Sequence, residues 1–343
     1  MKKRIFALLT ATVMTFTLLT GCGSSTTTSE SESTQAATDS AELKDFNVIL
    51  DWYPNAIHSF MYVAQEKGYF AEEGLNVTMT APAGVSDGLT FPAAGKAEIG
   101  LYYMNDCTIG YADEGMDIEV IGAINQGSLS CAIALKENNI LSPADFVGKK
   151  VGYSGSESSK AMIIDCAKSC GVEESDFELI DVGFDIETAI TSGNVDVCFG
   201  GMLNNEVVEL QNNGYEIDYW TLEEYGVPEE YEIIFVANKT AYEADPDLYD
   251  GFLAACKKGF EDVSADPEAG LDVLFEHEDA ENYALNRDVE KASLDILLDL
   301  EKNSGNEFLS MTAETWNNNT AWLLEKGLLK NDVDASEFVK VSE

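Results

Sequence analysis

The sequence predicts a doubly wound α/β protein of two lobes with a ligand cleft between them. Strand-like apolar runs alternate with helix-length segments from Phe46 to about Gly226. The folded body runs for about 300 residues from Asp45, long for one core and suited to two lobes. A lone β run, "YEIIFVANK" (Tyr231–Lys239), follows the second unit and precedes a largely helical C-terminal part. The chain thus leaves one lobe by a strand and returns by another, and two such crossings make a hinge.

The elements follow in order. Lys2, Lys3 and Arg4 precede the apolar "IFALLTATVMTFTLL" (Ile5–Leu19), which has signal-peptide length. "LTGC" (Leu19–Cys22) is a lipobox, so residues 1–21 are expected to be removed and Cys22 lipid-modified. The membrane partner is then a bilayer reached through lipid on Cys22. Residues 22–43 are expected to be a disordered tether rich in Ser, Thr and Glu. The expected localisation is the extracytoplasmic face of the cell membrane.

In the body, "FNVILDW" (Phe46–Trp52) reads as a buried strand and "IHSFMYVAQEKGYF" as a helix stopped by Gly68. "LNVTMTA" (Leu75–Ala81) is a second strand. A helix capped by Ser86 and shortened by Pro92 precedes a strand at Ile99–Tyr102. Asp117–Gln126 is a further strand ending in polar amides. A second unit begins after "CAIALKENNI" with a strand at Lys150–Tyr153, a glycine loop and a helix through Ser169. The expected first lobe takes residues 44–132 plus 233–343, and the second takes 133–232.

The chain carries a net charge of −42, which excludes nucleic-acid binding through a basic face. Its six cysteines after Cys22 fit no zinc or disulfide framework and read as small buried residues. Only Cys166 and Cys170, four apart on a helix, share a face and could cross-link. No metal cluster, cofactor motif, nucleophile elbow or P-loop is present in the sequence. "GYSGSESS" (Gly152–Ser159) could form an anion nest at a helix N-terminus, but Glu157 inside it disfavours a phosphate.

Ligands of open α/β sheets bind beyond the carboxyl ends of strands. Polar and aromatic residues collect there: Trp52, Asn55 and His58; Ser86; Tyr103 and Asn105; Asn125 and Gln126; Ser156 and Glu157; Asn204; Glu232. Trp52 offers a stacking face, and Asn55 offers a donor and an acceptor.

"LDWYPNAIHSFMYVAQEKGYFAEEGLNVTMTAPAGVSDGLTFPAAGKAEIGLYY" resembles the signature of binding proteins for the pyrimidine precursor of thiamine, components of ABC importers. The resemblance continues in "SPADFVGKKVGYSG", "AITSGNVDVCFGG" and "EYGVPEEYEIIFVANK". It implies a type II periplasmic-binding-protein fold and a small heterocyclic ligand. It also implies ABC permease partners and no catalysis. It carries over Trp52, Asn55 and His58 as cleft residues and Glu232 as partner of an aminopyrimidine. A monomer is expected. Relatives bind other aromatic or heterocyclic compounds, so the alternatives are the same fold with another cargo (riboflavin, a sulfonate or another aromatic) and, ranked lower, a pyrimidine synthase-like enzyme. Two departures stand out. Met202 and Leu203 replace an aromatic pair. Pyrimidine synthases of similar fold use a lysine and a histidine where this chain has Tyr102 and Asp106. They carry a cysteine-rich run where it reads "GVPEEYE".

Overall fold

The computed structural model describes residues 43–155 and 157–341. The lipobox, Cys22, most of the tether, Ser156 and the side chain of Glu157 lie outside the described set. Among the described residues the strands are β1 (Lys44–Ile49), β2 (Leu75–Thr80), β3 (Ile99–Tyr102), β4 (Ile118–Ala123) and β5 (Ser130–Leu135). They continue with β6 (Lys150–Tyr153), β7 (Glu178–Asp181), β8 (Val197–Met202), β9 (Ile217–Thr221) and β10 (Ile234–Asn238).

These strands form two five-stranded sheets of matching topology, ordered β2-β1-β3-β10-β4 and β7-β6-β8-β5-β9. In the first, β10 runs antiparallel to β3 and β4. In the second, β5 runs antiparallel to β8 and β9. The first sheet therefore takes β10 from beyond the second sheet, whose own strands β5–β9 follow one another without a break. "CAIALKENNI", which precedes the predicted second unit, supplies most of β5 and already belongs to the second sheet.

Helix Ser59–Glu66 follows β1 and packs on helix Pro246–Ala265. Gly259 permits that approach, because a Cβ there would sit 2.1 Å from the Phe60 carbonyl oxygen. Phe46, Phe70, Phe235 and Phe252 interlock beneath these helices, with Phe46 and Phe252 stacked 4.9 Å apart. The C-terminal segment closes the β4 edge: Val120 N–H donates to Phe338 O, and Lys340 N–H donates to Val120 O, both at 2.8 Å.

Helix Asp87–Ala93 is short, with Pro92 in its last turn. Ser86 does not cap it. Its side chain is exposed and makes no cap bond, while the Asp87 carboxylate accepts from Ala83 and Gly84 N–H instead. The six cysteines of the body are free thiols, all buried but Cys170.

The chain crosses between sheets at residues 124–129 and 222–233. Glu232 ties the crossings together. Its carboxylate accepts from Leu129 N–H at 2.6 Å, Ser130 N–H at 2.7 Å and the Ser130 hydroxyl at 2.6 Å. Helix Arg287–Ser304 spans the junction: Glu290 accepts from Ala56 N–H at 2.7 Å, and Ser293 Oγ accepts from Asn204 Nδ2 at 3.0 Å.

Candidate functional site

The cleft opens where both sheets end. Asp51 and Trp52 follow β1, and Tyr103, Asn105 and Asp106 follow β3. Ser130 starts β5, Ser154 follows β6, and Gly200 and Met202 end β8. Helix Glu157–Ser169 contributes Ser158, Ser159 and Met162, and the return crossing contributes Glu230 and Glu232. These walls border about 570 Å³ of empty space, the open mouth included. Gly200 has φ +88, and a Cβ there would lie 2.6 Å from Ser154 Oγ, so glycine keeps the wall of the second lobe low.

The polar lining is acidic. Asp51, Asp106, Glu230 and Glu232 all border the space, and among its described lining residues none is Lys, Arg or His. Burial, followed by the Glu232 and Asp106 charges, pushes the Glu230 carboxyl well above its ordinary range. Burial raises Glu232 too, against the three hydrogen bonds that favour its carboxylate. Asn105 Nδ2 donates to Glu230 Oε2. Asn105 is 2% exposed, and its Oδ1 has no hydrogen-bond partner. A buried acceptor without a donor is costly, so this atom points to a missing N–H or O–H. Asp106 Oδ2 accepts from Ser158 Oγ at 2.8 Å across the cleft.

The mouth is aromatic. Trp52 meets Phe184 of the second lobe edge to face, with centroids 4.5 Å apart. Tyr53 stacks on Tyr283 at 4.6 Å. Met202 lines the cleft, whereas Leu203 packs into the apolar core of the second sheet.

Of the residues expected from sequence, Trp52, Tyr103, Asn105 and Glu232 converge on the cleft. Asn55 and Asn204 line an adjoining recess with Trp52 and Met202. Asn55 also caps the turn Ala56–His58: its Oδ1 accepts from Ile57 N–H at 3.0 Å. His58 lies behind the wall, fully buried. Its Nδ1 accepts from Asn55 N–H at 3.2 Å and its Nε2 meets Asp51 Oδ1 at 2.9 Å, so it positions Asp51 and has no surface for a ligand. Ser86 faces solvent, and Val85 takes the cleft position beside it. Gln126 lies away from the cleft, its amide donating to Ser310 O at 2.9 Å. Of Asp51, Asp106 and Glu230, none was among the residues expected at the site. Glu230 carries a signal in "EEYE": two residues from Glu232 in an extended run, it shares a strand-like face with it.

A formylaminopyrimidine-binding protein of Halalkalibacterium halodurans is 33% identical over 304 residues, 89% of this chain and 92% of that protein. A 4-amino-5-hydroxymethyl-2-methylpyrimidine phosphate synthase of Uromyces fabae is 28% identical over 308 residues, 86% of this chain and 87% of that protein. The solved structure of an alkanesulfonate-binding protein from Xanthomonas axonopodis pv. citri superposes with a TM-score of 0.66 at 12% identity, covering 88% of this chain and 100% of that one. That likeness carries the fold alone, the two-lobed periplasmic-binding-protein fold. With the NMT1/THI5-like family profile matching residues 55–270, the chain belongs to that family.

Proposed function

We propose that this chain is the solute-binding lipoprotein of an ABC importer, and that its cleft captures a pyrimidine precursor of thiamine. The observation that carries the reading is Asn105 Oδ1, a buried acceptor without a donor beside a carboxyl-lined space. The exocyclic amine of an aminopyrimidine supplies that donor and a second N–H for Glu230. Each such hydrogen bond contributes about 0.5–1.5 kcal/mol net. The flat ring lies against Trp52 and Tyr103, with Met202 covering it where relatives use an aromatic residue. Asn55 and Asn204 face the ligand's outer substituent from the recess. Glu232 acts on the hinge, and Glu230 takes the ligand role expected of Glu232.

The Halalkalibacterium relative is named for binding a formylaminopyrimidine, and the same ligand class is proposed here. The chain is read as a binder and not a synthase, because Tyr102 and Asp106 offer neither a lysine for imine formation nor a histidine. A sulfonate finds no cationic partner, since Lys96 and Lys160 are not among the residues lining the cleft. In this reading the expected lobes, 44–132 plus 233–343 and 133–232, meet at the crossing before Ser130, since β5 pairs only within the second sheet. The chain is a monomer tethered through Cys22 to the extracytoplasmic face of the cell membrane. Lobe closure over the ligand presents the surface that the permease recognises.

Calorimetric titration with the hydroxymethyl, aminomethyl and formylated pyrimidines, riboflavin and taurine tests the reading. Binding is expected with a pyrimidine, and Asn105→Leu, of similar volume, should weaken it at least ~10-fold. Binding of riboflavin or taurine with no pyrimidine bound would overturn the ligand. An unchanged Kd in Asn105→Leu would overturn the role of Asn105.

A further inference from the structure

We propose that Asp106 selects the ligand's charge: it fills the anion position at the first turn of helix Glu157–Ser169 and thereby closes the cleft to anionic solutes. Helix N-termini attract anions because their free N–H groups and dipole converge there. The helix has 13 residues, and Ser158 stands second in it, 3% exposed. The group that meets it is the protein's own carboxylate, Asp106 Oδ2, held by Ser158 Oγ at 2.8 Å. A phosphate or sulfonate seeking that helix end finds it taken.

A second observation points the same way. Asn105, the neighbour of Asp106 in helix Met104–Ala112, presents an orphaned Oδ1 in the same lining. That atom asks for a donor. A sulfonate head carries acceptors only and would leave Asn105 unsatisfied, and any anionic head meets Asp51, Asp106, Glu230 and Glu232 as well. A neutral or protonated nitrogen heterocycle satisfies both conditions.

The bond also joins the lobes. Asp106 belongs to the helix after β3 of the first sheet, and Ser158 to the helix after β6 of the second. Charge selection therefore acts as the cleft closes, when carboxylate and helix end meet. The inference rests on the cleft being the ligand site proposed above.

The test uses inorganic phosphate as the anionic probe and Asp106→Asn, which keeps size and an acceptor for Ser158 but removes the charge. Asp106→Ser is the second variant should the first fold poorly, with circular dichroism as the check. Phosphate affinity near neutral pH should rise at least ~10-fold over the unaltered chain, and the gain should shrink with added salt. Equal phosphate affinity in variant and parent, including none in either, overturns the proposal. A purely structural role for Asp106 would lower the unfolding temperature and leave phosphate affinity unmoved. The hydroxymethyl pyrimidine is titrated in parallel. If the parent fails to bind it, the ligand reading fails, while the phosphate comparison still decides the role of Asp106.

Discussion

Replacing Glu232 by Ala should loosen the hinge before it touches the ligand. The side chain is 3% exposed and accepts three hydrogen bonds, two from backbone N–H groups of the opposite crossing. Alanine leaves the buried Leu129 N–H and the half-buried Ser130 N–H without acceptors, at about 1–3 kcal/mol each. The Ser130 hydroxyl can rotate to another partner and adds little. Relief of the buried charge offsets part of the loss, so a net destabilisation of about 3 kcal/mol is expected. That corresponds to roughly 6 °C in unfolding temperature for a body of this size. Glu232→Gln keeps one carbonyl oxygen for the two amides and should lose about 1–2 kcal/mol. Urea unfolding at neutral pH, followed by circular dichroism, reads both variants. A Glu232→Ala protein within about 0.5 kcal/mol of the parent would refute the hinge tie, since surface-like changes have that size. Normal stability with abolished pyrimidine binding would return Glu232 to the ligand role.

Two further outcomes follow from the geometry. Trp52→Ala removes a mouth ring packed 4.5 Å from Phe184 and should weaken pyrimidine binding by about one to two decades; an unchanged Kd by calorimetry would sink the stacking role. Stability should fall as pH rises through neutrality. Burial pushes Glu206, Glu290 and Glu301 up to about 7 and Glu187 to about 9. The folded chain therefore holds protons that the unfolded chain has already released above about 4.5. Their stabilising effect is fully present below that value and is lost as pH climbs through about 7 and towards 9. An unfolding temperature equal or higher at pH ~8.5 than at pH ~5.5 would contradict this.

The local chemistry of the sequence determined strands in both lobes. β3 and β6 fall on the predicted spans, because short apolar runs bounded by turn residues leave little choice of ends. Tyr103 and Asn105 were legible as site residues because they follow the carboxyl end of β3 directly. Met202 and Leu203 were legible as a departure, yet only packing sends Met202 to the cleft and Leu203 into a core. β5 was not legible as a strand of the second sheet, since its partners β8 and β9 lie far along the chain. The choice between Glu230 and Glu232 was tertiary as well. Glu232 finds its donors at Leu129 and Ser130, 103 and 102 residues away, and Glu230 meets Asn105 at a distance of 125. His58 follows the same logic: its position after a strand suggested a ligand contact, but Asn55 and Asp51 take both ring nitrogens. Periodicity and strand ends are properties of neighbouring residues, so sequence alone determines where polar groups gather. Which of them a ligand can reach depends on hydrogen bonds between distant segments, and those exist only once the two lobes have packed.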